Sequence, residues 1–166
     1  MNVRREAFGS AGRNRDYFHF RRVSDMSIAT ILLPLFVEVA LTFVLVFWMA
    51  RARIGAVKAG QVKVGDIALG QTNWPPRVQT ISNSYASQFQ MPVLFYVLTI
   101  LAIITKHADF LFVVLAWLFV LSRFVHVYIH TGTNYIRHRF NSFAVGVFIL
   151  LAMWIIFAAD ILLGLP

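Results

Sequence analysis

The chain has 166 residues, 59% of them hydrophobic and only 13% charged, and its mean hydropathy is +0.71. A soluble domain is about half apolar and about a quarter charged, so this composition, with apolar runs long enough to cross a bilayer, excludes a water-soluble globular protein and indicates an integral membrane protein. The net charge of +8 comes from Lys and Arg placed almost entirely outside the apolar runs, the pattern of contact with anionic headgroups rather than nucleic acid, and the absence of cysteine excludes disulfides, thiolate metal sites and cysteine nucleophiles.

Residues 1–25 are polar and carry Arg4, Arg5, Arg13, Arg15, Arg21 and Arg22. They lack the apolar core and small-residue cleavage site of a secretory signal, and little fixed structure is expected of them. Met26 directly precedes the first apolar run and is an alternative translation start, so the membrane domain is 26–166. The first span, 28–50, is apolar except for Glu38 and scattered Thr, with a helix-kinking Pro34, and Arg51 and Arg53 end it at the interface. Residues 54–79 form the longest connection, punctuated by Gly55, Gly60, Gly65 and Gly70, with Trp74 as an interfacial anchor.

The second apolar run, 91–105, covers only about 22 Å as a helix, short of a hydrocarbon core of about 30 Å. Its helix must begin earlier, near 82–85, and carry polar residues into or just above the membrane. Residues 106–109 make a tight turn that forces an antiparallel hairpin with the third span, 109–130. Gly132 and Asn134 break that span. Arg137, His138 and Arg139 follow, then Asn141 and Ser142 as candidate caps of the fourth span, 143–163.

Four spans with short connections predict an all-α, integral membrane, up-down four-helix bundle, which in a bacterial cell belongs to the inner membrane. Connections 51–85 and 131–141 fall at one end, called here the site end. The turn at 106–109 and both termini fall at the other. Basic residues divide evenly between the two ends, so they set no orientation. Translation from Met26 would tip the balance and place the site end in the cytoplasm.

Polar side chains inside a bilayer are costly and rarely incidental. On the third span Arg123, His126 and His130 fall at i, i+3 and i+7, and at the start of the second Asn83, Ser87 and Gln90 fall at i, i+4 and i+7. Each set shares one helical face, and both face sets lie in the half of the bundle near the site end. Arg51, Arg53, Arg137 and Arg139 join them there. This convergence predicts a site for a polar, anionic ligand. Glu38 and Arg123 differ by roughly 9 Å in depth, a gap a long Arg side chain can cover to form a structural ion pair. Asp160 falls at the other end, paired with Lys106 or solvated. His126 and His130 at i, i+4 match a metal-ligand pair, but no third ligand is evident and no metal is expected. There is no nucleophile elbow, phosphate loop or dinucleotide fingerprint.

Two stretches carry a family resemblance: Ser87-Gln88-Phe89-Gln90-Met91-Pro92-Val93-Leu94-Phe95-Tyr96 and Trp117-Leu118-Phe119-Val120-Leu121-Ser122-Arg123-Phe124-Val125-His126. Over about 28–163 the chain resembles the membrane-associated proteins in eicosanoid and glutathione metabolism, the MAPEG family. Its bacterial branch typically shows Asn-x-x-Glu shortly before a Pro, then Arg-x-x-His on the third helix. The resemblance implies a homotrimer that binds glutathione as co-substrate between subunits at the membrane edge. It also implies an Arg after the third helix that stabilises the glutathione thiolate, which attacks a lipophilic electrophile or reduces a lipid hydroperoxide. That Arg falls on Arg137, with Arg139 the close alternative. Arg51 and Arg53 match the basic pair that holds glutathione carboxylates, and Arg123 helps to shape the site. Ser87 and Gln90 occupy the Asn-x-x-Glu positions, and His126 and His130 fall where the enzymes usually carry Tyr. The implied activity is a membrane-bound glutathione transferase or peroxidase. Because Gln90 replaces a carboxylate, Ser87 an Asn and the His pair the Tyr pair, a non-catalytic lipid-binding or scaffold protein of the same fold is the alternative. A small transporter with Glu38 and Arg123 as a buried charge relay is a third, weaker reading.

Overall fold

A computed structural model of the chain describes residues 26–68 and 73–164; the basic tail, residues 1–25, lies outside the described residues. Five α-helices carry the fold: α1 (Ile28–Lys58), α2 (Pro76–Ala86), α3 (Met91–Ile104), α4 (Phe110–Thr131) and α5 (Ile136–Leu163). A short 3-10 turn, Val64–Ile67, sits in the long connection, and another, Ser87–Phe89, joins α2 to α3. Taken together α2 and α3 make one span, Pro76–Ile104, so four helical segments are long and apolar enough to cross a membrane. The protein is an all-α, multi-pass integral membrane protein.

Heptad-like stripes assemble these spans. On α1 the buried positions are Ile31, Pro34, Glu38, Leu41 and Leu45, alternating by three and four along one face. On α3 they are Pro92, Phe95, Leu98, Thr99 and Ala102. The most buried helix is α4, whose broad inner face runs from Phe112 to Thr131 and packs on α1, α2 and α5. Its 22 residues span about 33 Å, close to the hydrocarbon thickness. In turn α3 packs on α1 and α5. The faces left over are apolar, with Phe36, Phe43, Phe47, Phe148, Leu151 and Ile155 all exposed in the single chain. Lipid, or another copy, is the medium that suits them.

The interior is layered. Most of the apolar core, including Ile31, Phe95, Leu98, Phe119 and Met153, lies toward the end away from the site. Phe95 and Phe119 meet there with ring centroids 4.8 Å apart. A smaller apolar layer, Leu41, Leu45 and Val127, lies nearer the site end. Glu38 and Arg123 stand between the two in sequence on α1 and α4.

Local chemistry explains most helix ends. Ser27 caps α1 by accepting from Thr30 N, and Asp109 caps α4 by accepting from Phe112 N at 2.7 Å. The tight turn after α3 closes with His107 N bonding Ala102 O and Lys106 N bonding Ile103 O. Lys106 takes the left-handed conformation that glycine usually fills in such a cap, φ 60°. Gly60 fills the equivalent position after α1, φ 67°.

Three boundaries differ from the sequence expectation. The first helix continues past Arg51 and Arg53 to Lys58, and the fourth-span helix starts at Ile136 rather than 143. In both places the apolar run marks where the membrane ends, not where helical hydrogen bonding ends, and Arg and Lys are good helix formers in the headgroup layer. Asn141 and Ser142 are therefore inside α5, not caps; Ser142 Oγ donates back to Arg139 O at 3.0 Å. The second span begins earlier than 82–85, at Pro76, a residue suited to a first helical turn. Asp160 is half-buried and makes no ion pair with Lys106; it lines a small cavity with His107 and Asp109.

At Gly146 α5 lies tightly against α4: an added Cβ would stand 2.8 Å from Ser122 Oγ. A larger side chain must push the two most extensively packed helices apart. Gly146→Leu is expected to lower the unfolding midpoint in detergent, at about 2 kcal/mol, whereas Gly146→Ala should be tolerated better because the Ser122 hydroxyl can rotate away. A Gly146→Leu protein as stable as the parent would refute the close approach.

Candidate functional site

The site begins with a break in the second span. Pro92 has no N–H to continue a helix, and at Gln90 the backbone leaves the helical region, φ −102° and ψ −101°. The break turns Ser87 toward α4. Arg123 Nη2 donates to Ser87 Oγ at 3.0 Å and to Ser87 O at 3.3 Å, while Ser87 Oγ donates to Ser84 O at 2.7 Å. Ser87 therefore uses its hydroxyl both as donor and as acceptor.

Arg123 is 1% exposed, and its charge is met by Glu38, which is fully buried, with Nε 3.8 Å from Oε1. This is the expected ion pair across the depth gap. It is held by charge rather than by a direct hydrogen bond: both Glu38 oxygens and Arg123 Nε have no hydrogen-bond partner among the described residues. Ser84 Oγ and the Gln88 amide, on the turns next to Ser87, are likewise buried and unpartnered. A buried charge that loses its counterion is strongly destabilising.

On the site-end side of this layer is a cavity of about 370 Å³. Asn83, Ser87 and Gln90 line it from the α2–α3 break, His126 and His130 from α4, and Ile136, Arg139, Phe140 and Phe143 from the start of α5. His126 Nδ1 lies 3.2 Å from Ser142 Oγ. The His126 ring stands edge-on to His130 with centroids 5.4 Å apart and 5.7 Å from Phe143. Arg139 Nη1 donates to Asn134 Oδ1 at 2.8 Å, which orients the guanidinium from the preceding turn. Asn134 can sit there because it adopts a left-handed conformation, φ 49°, more readily than most residues. Amide, hydroxyl, imidazole and guanidinium groups thus share one cleft with an apolar wall. That arrangement fits a ligand with a polar or anionic part and an apolar part.

Of the residues singled out by sequence, the cavity brings together Ser87, Gln90, His126 and His130, with Arg123 behind Ser87. It does not gather the first-span arginines. Arg53 is turned to α2 and the end of the long connection: its Nη2 donates to Ser82 Oγ at 3.1 Å and the guanidinium lies 4.9 Å from the Trp74 ring. Trp74 thereby clamps the connection to α1. Arg51 is exposed and outside the cavity wall, and so is Arg137. Arg139, two positions on and so on the opposite side of α5, is on the wall. Among the described residues no group of three or more His, Asp and Glu side chains is placed to hold a metal.

Sequence reading missed Ile136, Phe140, Phe143 and Ser142. Their signal was present: 136, 139, 140 and 143 follow helical spacing. It was hidden because 131–141 was read as a connection, with Asn141 and Ser142 as caps of the next span. Arg77 was also missed. It donates to Thr131 O and stacks over Trp48 at 5.5 Å, tying the start of α2 to the end of α4 and closing that corner of the site end.

Fold and site together define a small multi-pass membrane protein with an amphipathic cleft among its helices at one end. The chain belongs to the MAPEG family, whose model matches residues 31–159. No curated protein and no solved structure matches the chain.

Removing one partner of the buried pair should be worse than removing both. Glu38→Ala or Arg123→Ala alone is expected to cost about 3 kcal/mol of stability, while Glu38→Met with Arg123→Met should lose clearly less than the two singles combined. Unfolding of detergent-solubilised variants measures this, and strictly additive losses would mean that the two charges do not interact.

Proposed function

We propose that this protein is a glutathione-dependent membrane enzyme, a transferase or peroxidase acting on lipophilic electrophiles or hydroperoxides. The observation that carries this reading is the amphipathic cavity in a MAPEG chain, where Arg139, His126, Ser87 and Gln90 share a wall with Ile136, Phe140 and Phe143. Glutathione has two carboxylates, one ammonium and one thiol, and needs donors and acceptors at several points. The apolar wall suits a second substrate that partitions into the bilayer.

A free thiol, with pKa about 8.5, is mostly protonated at neutral pH, and the thiolate is the nucleophile. A guanidinium beside the sulfur favours the thiolate and cannot itself act as a base. What supports Arg139 in this role is its place on the cavity wall and its fixed orientation on Asn134. Arg137, the position reached by counting along the family motif, is exposed in the single chain and would reach a ligand only from a neighbouring subunit. Arg51 is in the same position. These exposed arginines, and the exposed apolar faces, are consistent with a homotrimer whose ligand sites are completed between subunits. Gln90 offers an amide where the family motif has a carboxylate, so its oxygen accepts from the glutathione ammonium without the opposite charge of an ion pair.

Isothermal titration with glutathione and turnover with a hydrophobic chloronitrobenzene test the reading. The purified protein should bind glutathione and turn over, and Arg139→Ala should lower kcat by roughly 100-fold, the scale for loss of one oxyanion-type donor. Arg137→Ala, measured alongside, assigns the role: the larger loss identifies the thiolate-stabilising guanidinium. Neither binding nor turnover in the parent protein would leave the non-catalytic lipid-binding alternative.

A further inference from the structure

The geometry points to a second chemical group in this cavity: we infer that His126 is its proton acceptor, with Ser142 as the residue that positions it. Ser142 Oγ lies 3.0 Å from Arg139 O, and a carbonyl can only accept, so the single hydroxyl proton of Ser142 is directed there. Toward His126 Nδ1, 3.2 Å away, the same oxygen is then an acceptor. The ring must supply the hydrogen, which puts the proton on Nδ1 and leaves Nε2 with a free lone pair.

His126 lines the cavity, and its side-chain hydrogen bond, to Ser142, is made at Nδ1 and not at Nε2. Nor is Nε2 among the sealed, unpartnered polar atoms of the interior, as His130 Nδ1 is. The ring is held on its other sides by His130 and Phe143, so it cannot readily turn away. Arg123 and His130 on α4 and Arg139 on α5 are the charged or titratable groups around it, and Asn83, Ser87 and Gln90 face it from the α2–α3 break. An acceptor nitrogen and a guanidinium therefore belong to side chains that line one cavity. That pair suits a ligand with an acidic X–H group whose anion needs stabilising.

The identity of that group as a thiol rests on the reading above; the tautomer does not. With glutathione bound, Nε2 takes the S–H proton and the sulfur keeps the electron pair, giving a thiolate beside Arg139 and an imidazolium whose Nδ1–H remains on Ser142. With an epoxide as electrophile, the thiolate forms the C–S bond as the ring C–O bond breaks. The alkoxide oxygen then takes the proton back from Nε2, and the imidazole is restored.

The test is 15N NMR of histidine-labelled full-length protein in detergent at neutral pH. The His126 signals are identified by their loss in His126→Gln and by their selective shift in Ser142→Ala. The expected result is a protonated Nδ1 and a bare Nε2 in the parent protein, with the other tautomer populated once Ser142 is replaced. Protonated Nε2 in the parent protein overturns the assignment, whatever the activity. In the turnover assay His126→Gln should lower kcat by roughly 100-fold with the KM for glutathione little changed, and Ser142→Ala should fall between the two. Parent-level kcat in a folded His126→Gln protein removes His126 as acceptor and leaves the glutathione reading intact. If the parent protein shows no glutathione-dependent turnover, that reading fails, and the tautomer alone decides the acceptor.

Discussion

A guanidinium in the interior of a membrane protein must be neutralised where it stands, because neither water nor headgroups can reach it. Arg123 meets this demand with Glu38 on one side and Ser87 on the other. These are three different spans, so satisfying one charge fixes the relative depth of α1, of the α2–α3 break and of α4. The pair divides the interior into an apolar core and a smaller layer toward the site end. The cavity lies beyond it, with Ser87 belonging both to the anchored layer and to the cavity wall.

The break in the second span is the other half of the same design. An unbroken helix would use the Ser87 carbonyl for its own ladder and continue its apolar stripe into the site end. Pro92 prevents this, and the 3-10 turn Ser87–Phe89 with Gln90 beyond it presents polar groups inward at membrane depth. Irregular backbone is tolerated there because Arg123 satisfies what the helix leaves. On the opposite wall the regular start of α5 supplies Arg139, Phe140 and Phe143 at helical spacing, and Ser142 and Asn134 hold the wall's polar groups in place.

Much of this was legible without coordinates. Four spans, their antiparallel order and the convergence of Arg123, His126 and His130 with Ser87 and Gln90 follow from apolar run lengths and helical periodicity. The bilayer makes those two signals unusually reliable, since polar residues at membrane depth must face inward. The Glu38–Arg123 pair was legible from depth alone. What was not legible lies in the headgroup layer. There, Arg137, Arg139, Asn141 and Ser142 are compatible with loop or helix, and the hydrophobic signal that marks a span has ended. Reading them as a connection lost the α5 wall of the cavity and left Arg137 and Arg139 undistinguished.

The sequence by itself determined that this chain spans a membrane four times as an all-α bundle, because three long apolar runs, and a shorter one extended by its polar start, must satisfy their backbone hydrogen bonds within the bilayer. Its helical spacing also set Ser87, Arg123, His126 and His130 on inward faces, where they are buried, whereas Asn83 and Gln90 of the same stripes are exposed. Only the tertiary structure decided which arginine reaches the cavity, that Arg53 is turned aside onto Trp74, and that Ser142 meets His126. Those outcomes depend on where two helices meet to within an ångström or two and on which hydrogen-bond partner each side chain finds there. Neither quantity is carried by a periodicity along one chain.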